Sequence, residues 1–263
     1  MDYIHQIWNN RPLVHCITNI VTVNECANAL LAIGASPTMA HHPEEMEEIQ
    51  KGCDALVCNL GATENYDAME LAAKCAGETN HPIVIDPVGC GGSSFRRAFF
   101  WKLISLSKPA CIRGNYAEIT ALAEDMSTVT GVDAGGFCRN NHEDIEACVM
   151  KLARDTGAIV VASGAVDLIG CAGEGHDGQV IAVSGGDPMM SRITGVGCME
   201  SALLGAFLTV ELTAEAVRAC CERMKQAGKE AAEETRREDM GSMTFREKLI
   251  DKLFVDFEDA GLR

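Results

Sequence analysis

Residues 82–121 read PIVIDPVGCGGSSFRRAFFWKLISLSKPACIRGNYAEITA, and their reading decides the fold. Two short runs, PIVIDP (82–87) and ACIRGN (110–115), are almost wholly apolar until their last residues. Runs of that length, rich in branched side chains, read as strands buried on both faces. Between them, roughly 93–106, apolar residues recur at helical spacing, and a second helical stretch starts at 115. Strand, helix, strand, helix points to a parallel sheet, because parallel neighbours need a crossover long enough to hold a helix.

The same alternation continues on either side. LVHCIT (13–18), ALVCNL (55–60), AIVVAS (158–163) and VIAVSG (180–185) read as further strands. Helical stretches fall at about 22–33, 43–52, 64–78, 143–156, 197–210 and 212–236. VDLIG (166–170) follows SGA closely enough for a hairpin, so an antiparallel portion is expected late in the sheet. The expected class is α/β, a mostly parallel central sheet with helices on both faces. No repeat, low-complexity tract or Pro/Gly linker interrupts the 263 residues, so 1–263 reads as one domain. EAAEETRRED (230–239) reads as a solvated helical face.

Composition narrows the function. At 47% hydrophobic residues the chain can bury a sizeable core. With 22 basic against 38 acidic residues the net charge is −16, which argues against a nucleic-acid backbone or an anionic membrane as partner. A local phosphate site remains compatible with that charge. No run of about 18 apolar residues suggests a membrane span. MDYIHQIWNNRP (1–12) has neither a basic n-region nor an apolar h-region, so a cytoplasmic enzyme is expected. The 13 cysteines are scattered, odd in number and without a C-x-x-C pair. They read as small buried hydrophobes in a reducing compartment. The histidines show no metal-ligand spacing, and His41–His42 reads as a loop.

In such sheets ligands bind beyond the carboxyl ends of the strands. Asp86 closes one strand, Arg113-Gly114-Asn115 closes the next with Glu118 a helical turn on, Ser163 closes a third, and Met39 follows AIGASPT. ITGVGCMESALLGAFL (193–208) opens a helix at Gly195, Val196 and Gly197. The first N–H groups of a helix lack partners and suit an anion. Asp86 and Glu118 are suited to Mg²⁺, directly or through water. Arg113 can neutralise phosphate oxygens, and Ser163 can add a hydroxyl. Together these make a phosphotransferase set without a P-loop or a protein-kinase signature. Taken singly, Asp86-Pro87 is also an ordinary turn, Met39 a core residue, Arg113 half of a surface ion pair and Cys198 a small residue packing a helix start.

PLVHCITNIVTVNECANALLAIGASPTMAHHPEE (12–45), VIDPVGCGGSSFRR (84–97), IRGNYAEITALA (112–123) and ITGVGCMESALLGAF (193–207) resemble, in order, the hydroxyethylthiazole kinases of the ribokinase-like superfamily. The resemblance implies transfer of phosphate from ATP to the primary hydroxyl of 4-methyl-5-(2-hydroxyethyl)thiazole in thiamine salvage. It implies a homotrimer with active sites at subunit interfaces. It places Met39 and Gly195 on the thiazole, Arg113 and Ser163 on ATP, and Asp86 and Glu118 near metal and phosphates. Cys198 falls where sugar kinases of the superfamily have the Asp of G-x-G-D. A free thiol titrates near about 8.5, a helix start lowers that value and phosphates raise it, so Cys198 reads as a part-time base. It would orient the substrate hydroxyl and accept its proton late, which a loose phosphoryl-transfer transition state tolerates.

The chain departs from the family pattern at several positions. Cys16 replaces a usual Asn, which is expected to alter a pocket hydrogen bond. Val196 replaces a usual Thr, Ser163 keeps the hydroxyl of a usual Thr, and Cys90 and Gly92 vary a loop. HxITN and SPTMAHHPEE favour the thiazole kinase over pyridoxine and hydroxymethylpyrimidine kinases. GVGC in place of G-x-G-D argues against a nucleotide-repair dehydratase of the same fold. A thiol hydrolase built on Cys198 would need a histidine base, and no histidine has a sequence context pointing at it. A non-catalytic binding trimer is the remaining alternative.

Overall fold

The computed structural model describes residues 2–129, 142–172 and 179–255. Its strands are β1 (Leu13–Ile17), β2 (Ser36–Thr38), β3 (Ala55–Asn59), β4 (Ile83–Asp86), β5 (Cys111–Asn115), β6 (Ile159–Ser163), β7 (Val166–Gly170) and β8 (Ile181–Ser184). They form one sheet in the order β2-β1-β3-β4-β5-β6-β7-β8. The pairs from β2 to β6 are parallel, whereas β6–β7 and β7–β8 are antiparallel. The expected hairpin is therefore present.

Alternate residues of β1 and of β3 to β7 enter two separate cores. Val14, Val57, Val84, Cys111 and Val161 face one side, and Leu56, Cys58, Ile85, Ile112 and Val160 face the other. The first core is covered by α1 (Tyr3–Asn10), α2 (Val23–Ala32), α8 (Val196–Val210), α9 (Ala214–Arg237) and α10 (Ser242–Leu253). The second is covered by α3 (Met46–Lys51), α4 (Tyr66–Thr79), α5 (Ser94–Leu106), α6 (Tyr116–Val129) and α7 (His142–Thr156). Burial on both faces explains why the strands are apolar runs rather than alternating ones. Every residue of α8 from Met199 to Leu208 is buried, which matches its continuous apolar sequence.

Several local expectations change. The stretch 43–52 begins with a 3-10 turn, Pro43–Glu45, and becomes α-helical only at Met46. His42 and Glu45 cap that turn reciprocally. The solvated face expected at 230–239 is half correct, since Ala231, Ala232 and Thr235 are buried against the core. Cys16, the replacement for the usual Asn, lies inside the first core and is 1% exposed. Strand β2 carries Pro37 and sits at the sheet edge, where a missing N–H is tolerated. Ten of the twelve described cysteines are buried; Cys138 lies outside the described residues.

Candidate active site

Strand register assembles the site. Asn59 and Asp86 are paired residues at the carboxyl ends of β3 and β4, as are Asn115 and Ser163 on β5 and β6. Arg113 leaves β5 on the same face as Cys111, towards the start of α8.

The start of α8 is shaped by two glycines. Gly195 caps the helix at φ +93°, a conformation that side chains with a Cβ rarely adopt. Gly197 lies directly over Arg113, and a Cβ there would collide with the guanidinium. The glycine spacing thus lets a buried cation sit beneath free helix N–H groups, which adds to the positive end of the helix dipole. Arg113 Nε donates to Glu200 Oε2 at 2.8 Å, and both residues are buried. The surface ion pair open to Arg113 from sequence is therefore an internal one. Burial works against the charge, but Glu200, Asp86 and Asp167 outweigh it and hold the guanidinium above its ordinary range.

Beside this cation runs a chain of side chains. Ser201 Oγ donates to Asp86 Oδ2 at 2.8 Å, and Asn59 Nδ2 donates to the same oxygen at 3.1 Å. Asn59 Nδ2 also reaches Cys198 Sγ at 3.2 Å, and Asn19 Nδ2 reaches it at 3.5 Å. The other carboxylate oxygen, Asp86 Oδ1, is buried without a hydrogen-bond partner. Burial pushes the Asp86 carboxyl up to about 7, with Arg113 opposing and Glu118 adding to the rise. Burial also pushes the Cys198 thiol up, Asp86 adds to that, and amide donation from Asn19 and Asn59 opposes it. The lowering expected from the helix start does not prevail.

Glu118 is held by backbone. Its Oε1 accepts from Gly89 N–H at 2.8 Å and its Oε2 from Asn115 N–H at 2.9 Å. Asn115 Oδ1 accepts in turn from Glu118 N–H, so the two residues cap α6 reciprocally. Each carboxylate oxygen keeps a lone pair for a further partner.

A cleft of about 570 Å³ opens beside Arg113 and is lined by Ser163, Gly164, Asp187, Met190, Val196 and Gly197 among others. Ser163 Oγ donates to the Gly114 carbonyl at 3.2 Å and keeps its lone pairs free to accept. Met39 and Gly195 do not line this cleft. Met39 is half-buried against the first core beyond β2, and Gly195 faces Thr22 at the start of α2. The structure thus gathers Arg113, Ser163, Val196 and Gly197 around one cleft, sets Asp86, Glu118 and Cys198 nearby, and holds Met39 further along the sheet.

Several polar residues of this region are given no site role by the sequence expectations. Asn59 ends a strand as Asp86 does, which is a readable signal. Glu200 and Ser201 are polar interruptions of the apolar run after Cys198. Lys225 falls on the apolar face of α9, four residues after Cys221. Its ammonium pairs with Asp167 Oδ1 at 3.1 Å. His15 Nε2 lies 3.0 Å from the Ala40 carbonyl, which can only accept, so that nitrogen carries hydrogen. This bond ties β1 to the loop that bears Met39.

A mostly parallel sheet clad on both faces, a glycine-opened helix over a buried arginine, and acidic residues at strand ends make up a phosphotransferase arrangement. The fold of a ribokinase-like superfamily protein from Enterococcus faecalis V583 superposes with a TM-score of 0.62 at 11% identity, over 92% of this chain and 87% of that one. The model of the Hydroxyethylthiazole kinase family matches residues 4–258. A hydroxyethylthiazole kinase 1 from Methanosphaera stadtmanae is 41% identical over 92% of this chain and 87% of its own length. One from Listeria monocytogenes is 38% identical over 95% and 90%. The structure of a hydroxyethylthiazole kinase protein from Pyrococcus horikoshii OT3 has a TM-score of 0.82 and 34% identity, covering 96% of this chain and 91% of that one. The chain belongs to the hydroxyethylthiazole kinase family.

Proposed function

We propose that this chain transfers the terminal phosphoryl group of ATP to the primary hydroxyl of 4-methyl-5-(2-hydroxyethyl)thiazole. The observation that carries the reading is the Arg113 guanidinium seated under Gly197 at the start of α8, beside Cys198 and Asp86. Free N–H groups of Gly195, Val196 and Gly197 and a cation stand ready where charge shifts during phosphoryl transfer. Arg113 and Ser163 border the cleft that takes ATP, and Met39 and Gly195 flank the thiazole.

The residues present fit Mg²⁺. The buried, unpartnered Asp86 Oδ1 is an oxygen in want of a cation or a cation-bound water, and Glu118 has spare acceptor capacity close by. When bound, the ion neutralises phosphate charge. Asp86 and Glu118 would hold it, with Asn59 and Ser201 fixing the Asp86 carboxylate.

Cys198 orients the acceptor hydroxyl. As a neutral thiol, Sγ accepts the hydroxyl's hydrogen bond in place of an amide donor. As a thiolate, whose share grows with pH, it takes the proton late. Assembly as a homotrimer belongs to this reading. Ile20 and Val21 are 82% and 63% exposed, next to Asn19, whose amide reaches Cys198. An apolar pair beside the site suits a covering subunit.

³¹P NMR of the protein with Mg·ATP tests the reading, with hydroxyethylthiazole, pyridoxine and hydroxymethylpyrimidine in separate tubes. A phosphomonoester signal with the thiazole alone is expected. A signal only with another alcohol overturns the substrate, and no phosphoester in any tube overturns the reaction.

A further inference from the structure

Lys225 is a buried ammonium that the proposed chemistry does not use. It is 6% exposed on α9 and borders the same cleft as Arg113 and Ser163. Its Nζ donates to the Gly164 carbonyl at 3.0 Å and the Ala165 carbonyl at 3.5 Å, and pairs with Asp167 Oδ1 at 3.1 Å. Asp167 Oδ1 accepts from Gly164 N–H at 3.0 Å. Both backbone polar groups of Gly164 are thus tied to one lysine–aspartate pair. From the other side the Tyr116 ring lies so close that a Cβ on Gly164 would be 2.7 Å from Cζ.

Charge makes the lysine more than a strut. The charged residues lining the cleft are Arg113, Lys225, Asp167, Asp187 and Glu200. Asp187 is matched by Arg236 from outside the lining. The rest balance two against two. Asp167 and Glu200, with Cys221, bring ligand atoms within 4.8 Å of one another, all buried. Two carboxylates so close cannot both stay ionised without a cation among them. Removing Lys225 leaves net negative charge in the floor of a cleft meant for an anion.

We propose that Lys225 is a resident monovalent cation of the nucleotide site, a positioning residue that fixes the Gly164–Ala165 turn and keeps the cleft neutral for the triphosphate. The inference rests on the reading that this cleft takes ATP. Two backbone carbonyls and a carboxylate are also oxygens of the kind that coordinate K⁺. Taking the ammonium away leaves a place that K⁺ can fill.

Calorimetric titration with ATP tests this on the parent, Lys225→Met and the double variant Asp167→Asn/Lys225→Met, each in KCl and in choline chloride at equal ionic strength. The parent binds ATP equally in both salts. Lys225→Met binds about tenfold more weakly in choline chloride and recovers most of the loss in KCl. Folding of that variant only in KCl supports the same conclusion. The double variant strands no charge, binds ATP severalfold more weakly because the turn is untied, and ignores K⁺. A double variant with the parent's ATP affinity overturns the proposal, whatever the single variant does. So does a folded Lys225→Met that is indifferent to K⁺. A parent that binds no ATP in either salt removes the nucleotide reading itself, and the inference with it.

Discussion

Two clefts open at opposite ends of the sheet. At the carboxyl end of the parallel strands lies the one of about 570 Å³, with Arg113, Asp167, Glu200 and Lys225 buried in its floor. Near the amino end lies a larger one of about 1080 Å³, bordered by Lys74, Glu78, His81, Lys108 and Leu212. Its Lys74, Glu78 and Lys108 are exposed. Solvated charges cost little, whereas each buried one costs several kcal/mol unless it is partnered. On the proposed function, the end that concentrates four partnered charges, an orphan carboxylate oxygen and a glycine-opened helix is the end that carries the chemistry. The difference teaches that volume does not mark the site here, whereas buried polar groups with converging partners do.

The contrast breaks most visibly at Arg113. Arg113→Met leaves Glu200 buried without its cation, so denaturant unfolding should show a loss of about 3–5 kcal/mol, with phosphoryl transfer abolished. The paired variant Arg113→Met/Glu200→Leu should recover stability but not turnover. Recovered turnover would move the anion site away from α8.

Asp86 comes next. Asp86→Asn should lower kcat at least about a hundredfold, measured with Mg·ATP. Its stability effect has the opposite sign. Burial holds the carboxyl at about 7, above its unfolded value, so the native state keeps a proton that the unfolded chain has lost. Stability from this group falls as pH rises from about 4 to 7 and stays low above that. Metal-free Asp86→Asn should therefore melt higher than the parent at pH 8, with the gap closing towards pH 4.

Cys198 should matter less. Cys198→Ser should lose about tenfold in kcat while keeping its nucleotide affinity. Because burial holds the thiol up, the thiolate share of the parent grows only at alkaline pH. The parent's log kcat should climb above pH 7, and the serine variant's profile should be flatter. The smallest effect is expected at the amino-end cleft. Lys108→Ala should leave kcat and KM within about twofold and stability within about 0.5 kcal/mol. A large effect there would dissolve the contrast between the two clefts.

The unit from β4 to α6 was legible because its strands are apolar on both faces and its helices lie between them. Asp86, Arg113 and Ser163 were legible because they end those strands, where the fold class puts ligands. Glu200 and Lys225 were not. Arg113 and Glu200 are 87 positions apart, and Lys225 is 61 from Gly164. No local pattern tells a buried carboxylate which strand supplies its cation. The rise of the Cys198 thiol was hidden for the same reason, since burial and the distant Asp86 outweigh the helix start. β2 is too short, at three residues, to stand out from a loop. α10 was readable in principle from Phe245, Leu249 and Leu253 at four-residue spacing.

The most direct test is a crystal structure of the protein with Mg²⁺ and a non-hydrolysable ATP analogue. The triphosphate should lie at the start of α8 over Arg113, with the nucleoside between the Ser163–Ala165 turn and residues 185–191. A nucleotide seated instead among Lys74, His81 and Lys108 would contradict the account.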